Sequence, residues 1–405
     1  MVTTERRTRG DLVAVASIVV AVVVAATLLW RYSDARATVS EPAVGAPPAA
    51  LVPPSALPPS LAEVWSAPSG ATGAPVVAGN TVVTADGREV VGRDPFTGER
   101  RWRYARDLDL CTTVAAWGNA VSVWSKDPRY CSEVTAIGGD SGRRTNQRNG
   151  DAERGARVLF DGTHATATGG RYLEAWRSDL VRTTQYGAVR ARVNPGKQPR
   201  SGCEYRSIAA AASQIGIVER CPDDGGKADR LTVLRVNPKD AEQPEPLFSV
   251  QLGAPAALVV AMTGQRTAVL LPGPNRLAVF DDKGNQLSSV RIDAPLPPGT
   301  GGPAVADTLA GPSAVYWFTG SSTVALDPAD LRPLWTVGGT AGTGVLYAGR
   351  LLVPAPGEVV VLDAVTGGRL GSTPVDRGGY AGQVRLGAAG SVLLEQRGGR
   401  LVALR

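Results

Sequence analysis

The sequence predicts an all-β domain, a β-propeller of about eight four-stranded blades (seven is the alternative count), preceded by one transmembrane helix. Three observations predict it. From Leu61 onward, runs of four to seven residues rich in Val, Leu, Ala and Thr alternate with Gly, Asn and Asp, the pattern of short strands and tight turns. Two-residue turn marks return at intervals of about 38–51 residues, the spacing of propeller repeats. The two ends of the domain are complementary, each holding strands the other lacks.

Composition agrees. With 43% apolar and 20% charged residues, most of the 405-residue chain should fold. Thirty Pro and 48 Gly suit short strands and turns better than helices. The net charge of +6 is uneven: Arg143 to Arg206 holds 13 Arg or Lys against 6 Asp or Glu, a net of +7, so the remainder is near −1. Such asymmetry suggests an anionic partner or surface.

Taken in order, residues 1–11 form a short tail containing Arg6, Arg7 and Arg9. Leu12 to Trp30 is uncharged over 19 residues; as a helix it spans about 28 Å, enough to cross a bilayer core. Positive flanks stay in the cytoplasm, so the tail is expected inside and everything after Trp30 outside. A cleaved signal peptide is the competing reading, because Ala35-Arg36-Ala37 has the A-x-A form, although a signal core is usually shorter. Residues 31–60 read as an extracytoplasmic Pro/Ala-rich linker with seven prolines between Glu41 and Ser60. Such a segment prefers polyproline II and is expected to act as a semi-rigid spacer between membrane and domain.

Residues 61–405 form the propeller. The turn marks are Gly79-Asn80, Gly118-Asn119, Gly162-Thr163, Ser213-Gln214, Gly264-Gln265, Gly311-Pro312, Gly349-Arg350 and Ala389-Gly390. The second half of each unit has its own signature. Asp94-Pro95-Phe96-Thr97-Gly98 follows a strand and leads to Trp102; Val359–Leu362 leads to Asp363 and Gly367; Asp327 leads to Trp335 with the Gly missing. Val134–Ile137 leads to Ser141-Gly142, and Leu277–Phe280 to Asp281 and Gly284. Asp bonds the next amides, Pro sets φ, and Gly accepts positive φ, so these residues read as turns. The chain stops at Leu401–Arg405, a third strand with no Trp strand after it, and begins at Val64-Trp65, a Trp strand with nothing before it. Val64-Trp65 should pair beside Leu401–Leu404 and close the ring, removing open edges.

The phrase V-x-x-L-D-x-x-T-G followed by a Trp strand resembles the pyrroloquinoline-quinone-like β-propeller repeat, strongly at Glu89–Trp102 and Val359–Gly367 and loosely in the middle of the chain. The resemblance covers about Leu61–Arg405. The superfamily includes quinoprotein dehydrogenases and non-catalytic envelope scaffolds, so the resemblance implies fold more than function. Quinone-binding members carry adjacent cysteines; none are adjacent here.

The cysteines form two local pairs, Cys111 with Cys131 and Cys203 with Cys221. Outside the membrane such pairs usually form disulfides; four cysteines allow three connectivities, of which the local one crosses no blade. A metal site would want C-x-x-C spacing and nearby His. Gly139-Asp140-Ser141-Gly142 matches a serine-protease tetrapeptide, but the only histidine, His164, follows the serine, and a turn explains it. Asp281–Asn285 lacks the alternating ligands of a calcium loop, and the glycines of Gly338–Gly344 make no phosphate loop. The remaining site candidates are cationic: Arg143, Arg144, Arg148, Arg154 and Arg157 in one connection, and Arg190, Arg192 and Arg200 in another. Arginine suits carboxylate and phosphate.

The expected protein is a single-pass, membrane-anchored extracytoplasmic propeller that binds an envelope protein or anionic polymer, with no cofactor, no nucleic acid and no catalysis of its own. The alternatives are a quinone-dependent enzyme and a receptor for an anionic ligand through Arg143–Arg206.

Overall fold

The computed structural model describes residues 8–190, 196–294 and 302–405; Arg6, Arg7 and Arg192 lie outside the described residues. Within them, eight antiparallel sheets each run from an inner to an outer strand. The first blade is Val76–Ala78, Thr81–Asp86, Glu89–Arg93 and Arg100–Ala105. The eighth is Val384–Ala389, Val392–Arg397 and Arg400–Leu404, completed by Glu63–Pro68 from the other end of the domain. Trp65 opposes Ala403 and Glu63 opposes Leu404, with Val64 bulged between them. Ring closure thus needs about six residues from the start of the domain, and the count is eight, not seven.

Each turn mark falls between the first and second strands of its blade, and each signature between the third and fourth. Antiparallel order therefore places both on one face of the ring, called here the turn face. The second-to-third turns and the connections between blades lie on the opposite face, called here the connection face.

The core is a series of radial seams. Eight buried apolar clusters are found among the described residues, one at each interface between neighbouring blades. Trp102, Trp124, Trp176 and Trp317 are almost fully buried in them. Alternation explains this: successive strand residues face opposite neighbours, so a blade with apolar residues on both faces stacks on both sides.

The signature turns stitch the seams. Trp65 of the eighth blade donates its Nε1–H to Pro95 O at 2.8 Å and lies over Gly98, where an added Cβ would meet the ring at 2.6 Å. Trp102 of the first blade does the same to the second, bonding Gly139 O at 2.6 Å over Gly142. Trp335 of the sixth bonds Val365 O at 2.8 Å over Gly367 of the seventh. The glycine is required twice over, by positive φ and by the ring. Where Gly is missing, Leu331 adopts φ 57° and Leu180 φ 61°, both buried. Leu180 reveals a third-blade copy, Arg177–Leu180, that the sequence pattern did not show.

The helix is Arg9–Arg31, long and apolar enough to cross a membrane. Thr8 and Asp11 form a capping box at its start.

Residues 31–60, expected as a semi-rigid spacer between membrane and domain, are docked on the ring in the structure. Asp34 lies 3.2 Å from Lys126 and 4.0 Å from Arg106 on the connection face. Val39–Glu41 then pairs with Arg103–Ala105 as a fifth strand on the first blade, carrying the chain along the rim to the turn face. There Ala43 N donates to Ser141 O at 2.9 Å, Arg101 to Ala46 O at 3.0 Å, and Leu51 N to Asn80 Oδ1 at 3.0 Å. Leu51 and Leu57 pack against the last two seams before closure. The physical reason is that an outer strand edge offers unpaired amides and carbonyls, and that Leu51 and Leu57 are partly buried against the seams. Prolines restrict the strap's conformation without preventing it from docking.

Candidate functional site

Inner strands surround a central channel. Its open part is a cavity of about 710 Å³ walled by the first, second, third, sixth, seventh and eighth blades. On the remaining side the chain between the fifth and sixth blades turns inward: Ala304 exchanges backbone bonds with Arg206 O at 2.8 Å and Ile208 N at 3.0 Å on the fourth blade's inner strand. The channel is therefore a blind recess on that side.

Its charged groups are Arg157, Asp307 and Arg385, of which the last two are paired. Asp307 receives a two-point fork from Arg385 at 3.0 and 2.9 Å and a bond from Gln383 at 2.6 Å. Arg157 lines the cavity, exposed, and forms no side-chain bond within the described residues. Thr343 Oγ1 is buried without a partner. Val76, Val114, Leu159, Val305, Leu309 and Leu386 supply apolar wall. One free guanidinium, hydroxyls and apolar surface can receive a protruding side chain or small anion.

The arginines singled out in the sequence do not form one patch, and they are not all in connections. Arg144 and Arg148 lie on the outer strand Arg144–Asn149, and Arg157 opens the inner strand Arg157–Phe160. Arg144 bonds Gln147 at 2.7 Å, and Arg148 bonds Leu180 O at 2.6 Å and sits 3.7 Å from buried Glu174. Arg154 bonds Pro128 O at 3.2 Å; Arg190 faces Asp151 at 3.5 Å and covers the Tyr130 ring. Arg200 bonds Ser249 at 3.2 Å, 3.8 Å from Glu219. Arg143 is exposed at the rim. The excess charge is thus largely spent on local carboxylates, carbonyls and a ring.

Burial raises the carboxyls of Glu174 and Glu219 above the usual carboxylate range, against the opposing pull of their hydrogen bonds and nearby arginines. Tyr186 donates to Glu219 at 2.8 Å and Thr232 at 2.6 Å. These groups lie inside seams, away from the channel wall. Asp224 is held at about 2, chiefly by the Arg230 fork.

The other motifs resolve as structure. Disulfides join Cys111 to Cys131 and Cys203 to Cys221, each tying the inner strand, or in the case of Cys203 the residue just before it, to the turn after the second strand. Cys203, Cys221 and Glu219 cluster within metal-ligand distance, but both sulfurs are spent in a disulfide. Asp94 Oδ1 accepts from Phe96 N and Thr97 N, Asp327 Oδ1 from Ala329 N, and Asp363 Oδ1 from Val365 N and Thr366 N. Asp140 binds Asn80 and Thr81 of the first blade, while Ser141 Oγ accepts from Arg143 N. His164 contacts Thr163, and Asp281 closes its turn through Lys283 N and Asn285 N.

No protein-family model matches this chain, and no curated protein matches it in sequence. Solved structures do match. BamB from Moraxella catarrhalis aligns at 16% identity over 85% of this chain and 97% of its own, with a TM-score of 0.50. Sqt1 from Saccharomyces cerevisiae aligns at 12% identity over the same shares, with a TM-score of 0.51. At such identities the likeness concerns the propeller fold alone.

Proposed function

We propose that this chain is a membrane-anchored extracytoplasmic propeller that binds another protein of the cell envelope and performs no catalysis of its own. The observation that carries the reading is the continuous attachment of the apolar helix to the ring. Asp34 meets the connection face directly after the helix ends, and Val39–Glu41 is built into the first blade. A helix in the bilayer would therefore hold the connection face toward the membrane and direct the turn face away from it. The two disulfides suit an oxidising compartment. The likeness to BamB supports an envelope scaffold through shared fold, and the channel carboxylate Asp307 is held by Arg385 and Gln383.

The test is crosslinking of the full chain in intact cells, followed by mass spectrometry. A photo-reactive residue at Leu386 in the channel or at Val365 on the turn face should trap a discrete protein. Robust dye reduction with alcohols or sugars after reconstitution with the quinone and calcium would overturn the non-catalytic reading.

A further inference from the structure

A second cleft lies between the seventh and eighth blades, with a volume of about 690 Å³. Its floor is ionic. Glu395 is fully buried and shared by two guanidiniums, Arg377 and Arg397, whose side chains are 6% and 8% exposed. Every nitrogen of Arg377 has a partner: it donates to both Glu395 oxygens at 3.1 and 2.8 Å, to Ala355 O at 2.5 Å and to Glu358 O at 3.2 Å. Arg397 is not. Its Nε donates to Glu395 at 2.7 Å, but its Nη2 is buried with no partner.

Two positive charges thus face one negative charge out of water. A buried donor without an acceptor is costly, and an uncompensated buried charge more so. The strand places them there by alternation. Leu393, Glu395 and Arg397 share the side facing the seventh blade, and Gln396 points the other way to Thr72 and Ser69.

We propose that this cleft binds a carboxylate carried on an apolar group, received by Arg397. Leu61, Val402 and Tyr380 provide the apolar walls. The rim carries Glu63, Asp376 and Arg400; Arg400 is engaged by Ser66 and stands 4.0 Å from Glu63, and Asp376 accepts from Gly378 N at 2.8 Å. These rim acids repel a dianion, whereas one carboxylate neutralises the floor, so the geometry selects a carboxylate over a phosphate. The planar fork of an arginine suits a carboxylate's two oxygens. The occupant is an acidic or C-terminal residue with an apolar neighbour. The proposal stands whether or not the helix is a membrane anchor.

The experiment is isothermal titration of the full chain in detergent with N-acetyl-leucine, its amide N-acetyl-leucinamide, and inorganic phosphate. The acid should bind at least tenfold more tightly than the amide, and Arg397→Met should bring it down to the amide's level. Arg397→Met leaves the Arg377–Glu395 pair intact and should fold. If it does not, Arg397→Lys keeps the charge but loses the fork, and should weaken the acid about tenfold. Equal binding of acid and amide, or acid binding unchanged in either variant, would show that Arg397 only braces the seam and would overturn the proposal. Phosphate binding more tightly than the acid would overturn the carboxylate assignment.

Discussion

Replacing Gly98 by Ala separates a turn residue from a seam residue. Gly98 has φ 74°, and an alanine Cβ would stand 2.6 Å from the Trp65 ring. Gly118 has nearly the same backbone, φ 72°, with nothing within 4 Å of its would-be Cβ. The left-handed conformation alone costs an L-residue about 1–2 kcal/mol. Gly118→Ala should cost only that. Gly98→Ala must also push Trp65 aside, straining its bond to Pro95 O, worth about 1 kcal/mol, and opening the packing between the eighth and first blades. We expect a total of about 3–4 kcal/mol, so the two variants should differ by about 2 kcal/mol in urea unfolding of the full chain. Trp65→Phe in the Gly98→Ala background should recover part of the difference, since the two sites are in contact and their effects are not additive. If Gly98→Ala costs no more than Gly118→Ala, the ring does not press on the turn and the stitched-seam account fails.

Glu219→Gln should change the pH dependence of stability. Burial raises the Glu219 carboxyl above its ordinary 4.5, so the folded state binds the proton more tightly than the unfolded chain. That contribution is fully present below pH 4.5 and is lost as pH rises through the raised value. The variant should therefore gain on the wild type between about pH 4 and pH 7 in urea unfolding; a constant difference across that range would refute it. Removing the Cys111–Cys131 bridge, whose partners are 20 residues apart, should cost about 3 kcal/mol, read as a lower urea midpoint for the double Ser variant; an unchanged midpoint would show that the bridge constrains nothing. Asn80→Ala should speed deuterium exchange at the Leu51 amide and leave Ala43 protected, because those amides have separate acceptors. A strap amide already exchanging at the free-chain rate would show that the strap is not docked on the ring.

The fold was legible because turns carry chemistry. Asn80, Gly118 and Gly349 mark changes of direction that few residue types tolerate, and the orphan strands at Val64-Trp65 and Leu401–Leu404 announced each other. The third signature was hidden, and the sixth was read without its glycine, for one physical reason: Leu180 and Leu331 take the left-handed position, and their buried side chains offset its strain. The docked strap was hidden because proline content specifies the local conformation of residues 41–60 and says nothing of the edge that Val39–Glu41 finds. The cationic run misled because a tally along the chain ignores where partners come from. Arg148 meets Glu174 and Arg190 meets Asp151 only after the blades form, while Arg397, with its buried unpaired donor, lies in a segment of unremarkable composition.

In the proposed function the ring is held close against a membrane by its own strap. Photo-crosslinking of intact cells from Lys126 on the connection face and from Val365 on the turn face tests this directly. It predicts lipid adducts from position 126 and a discrete protein adduct from position 365. Protein adducts alone from 126, with lipid from 365, would contradict the orientation, and neither adduct from either position would contradict the anchored scaffold itself.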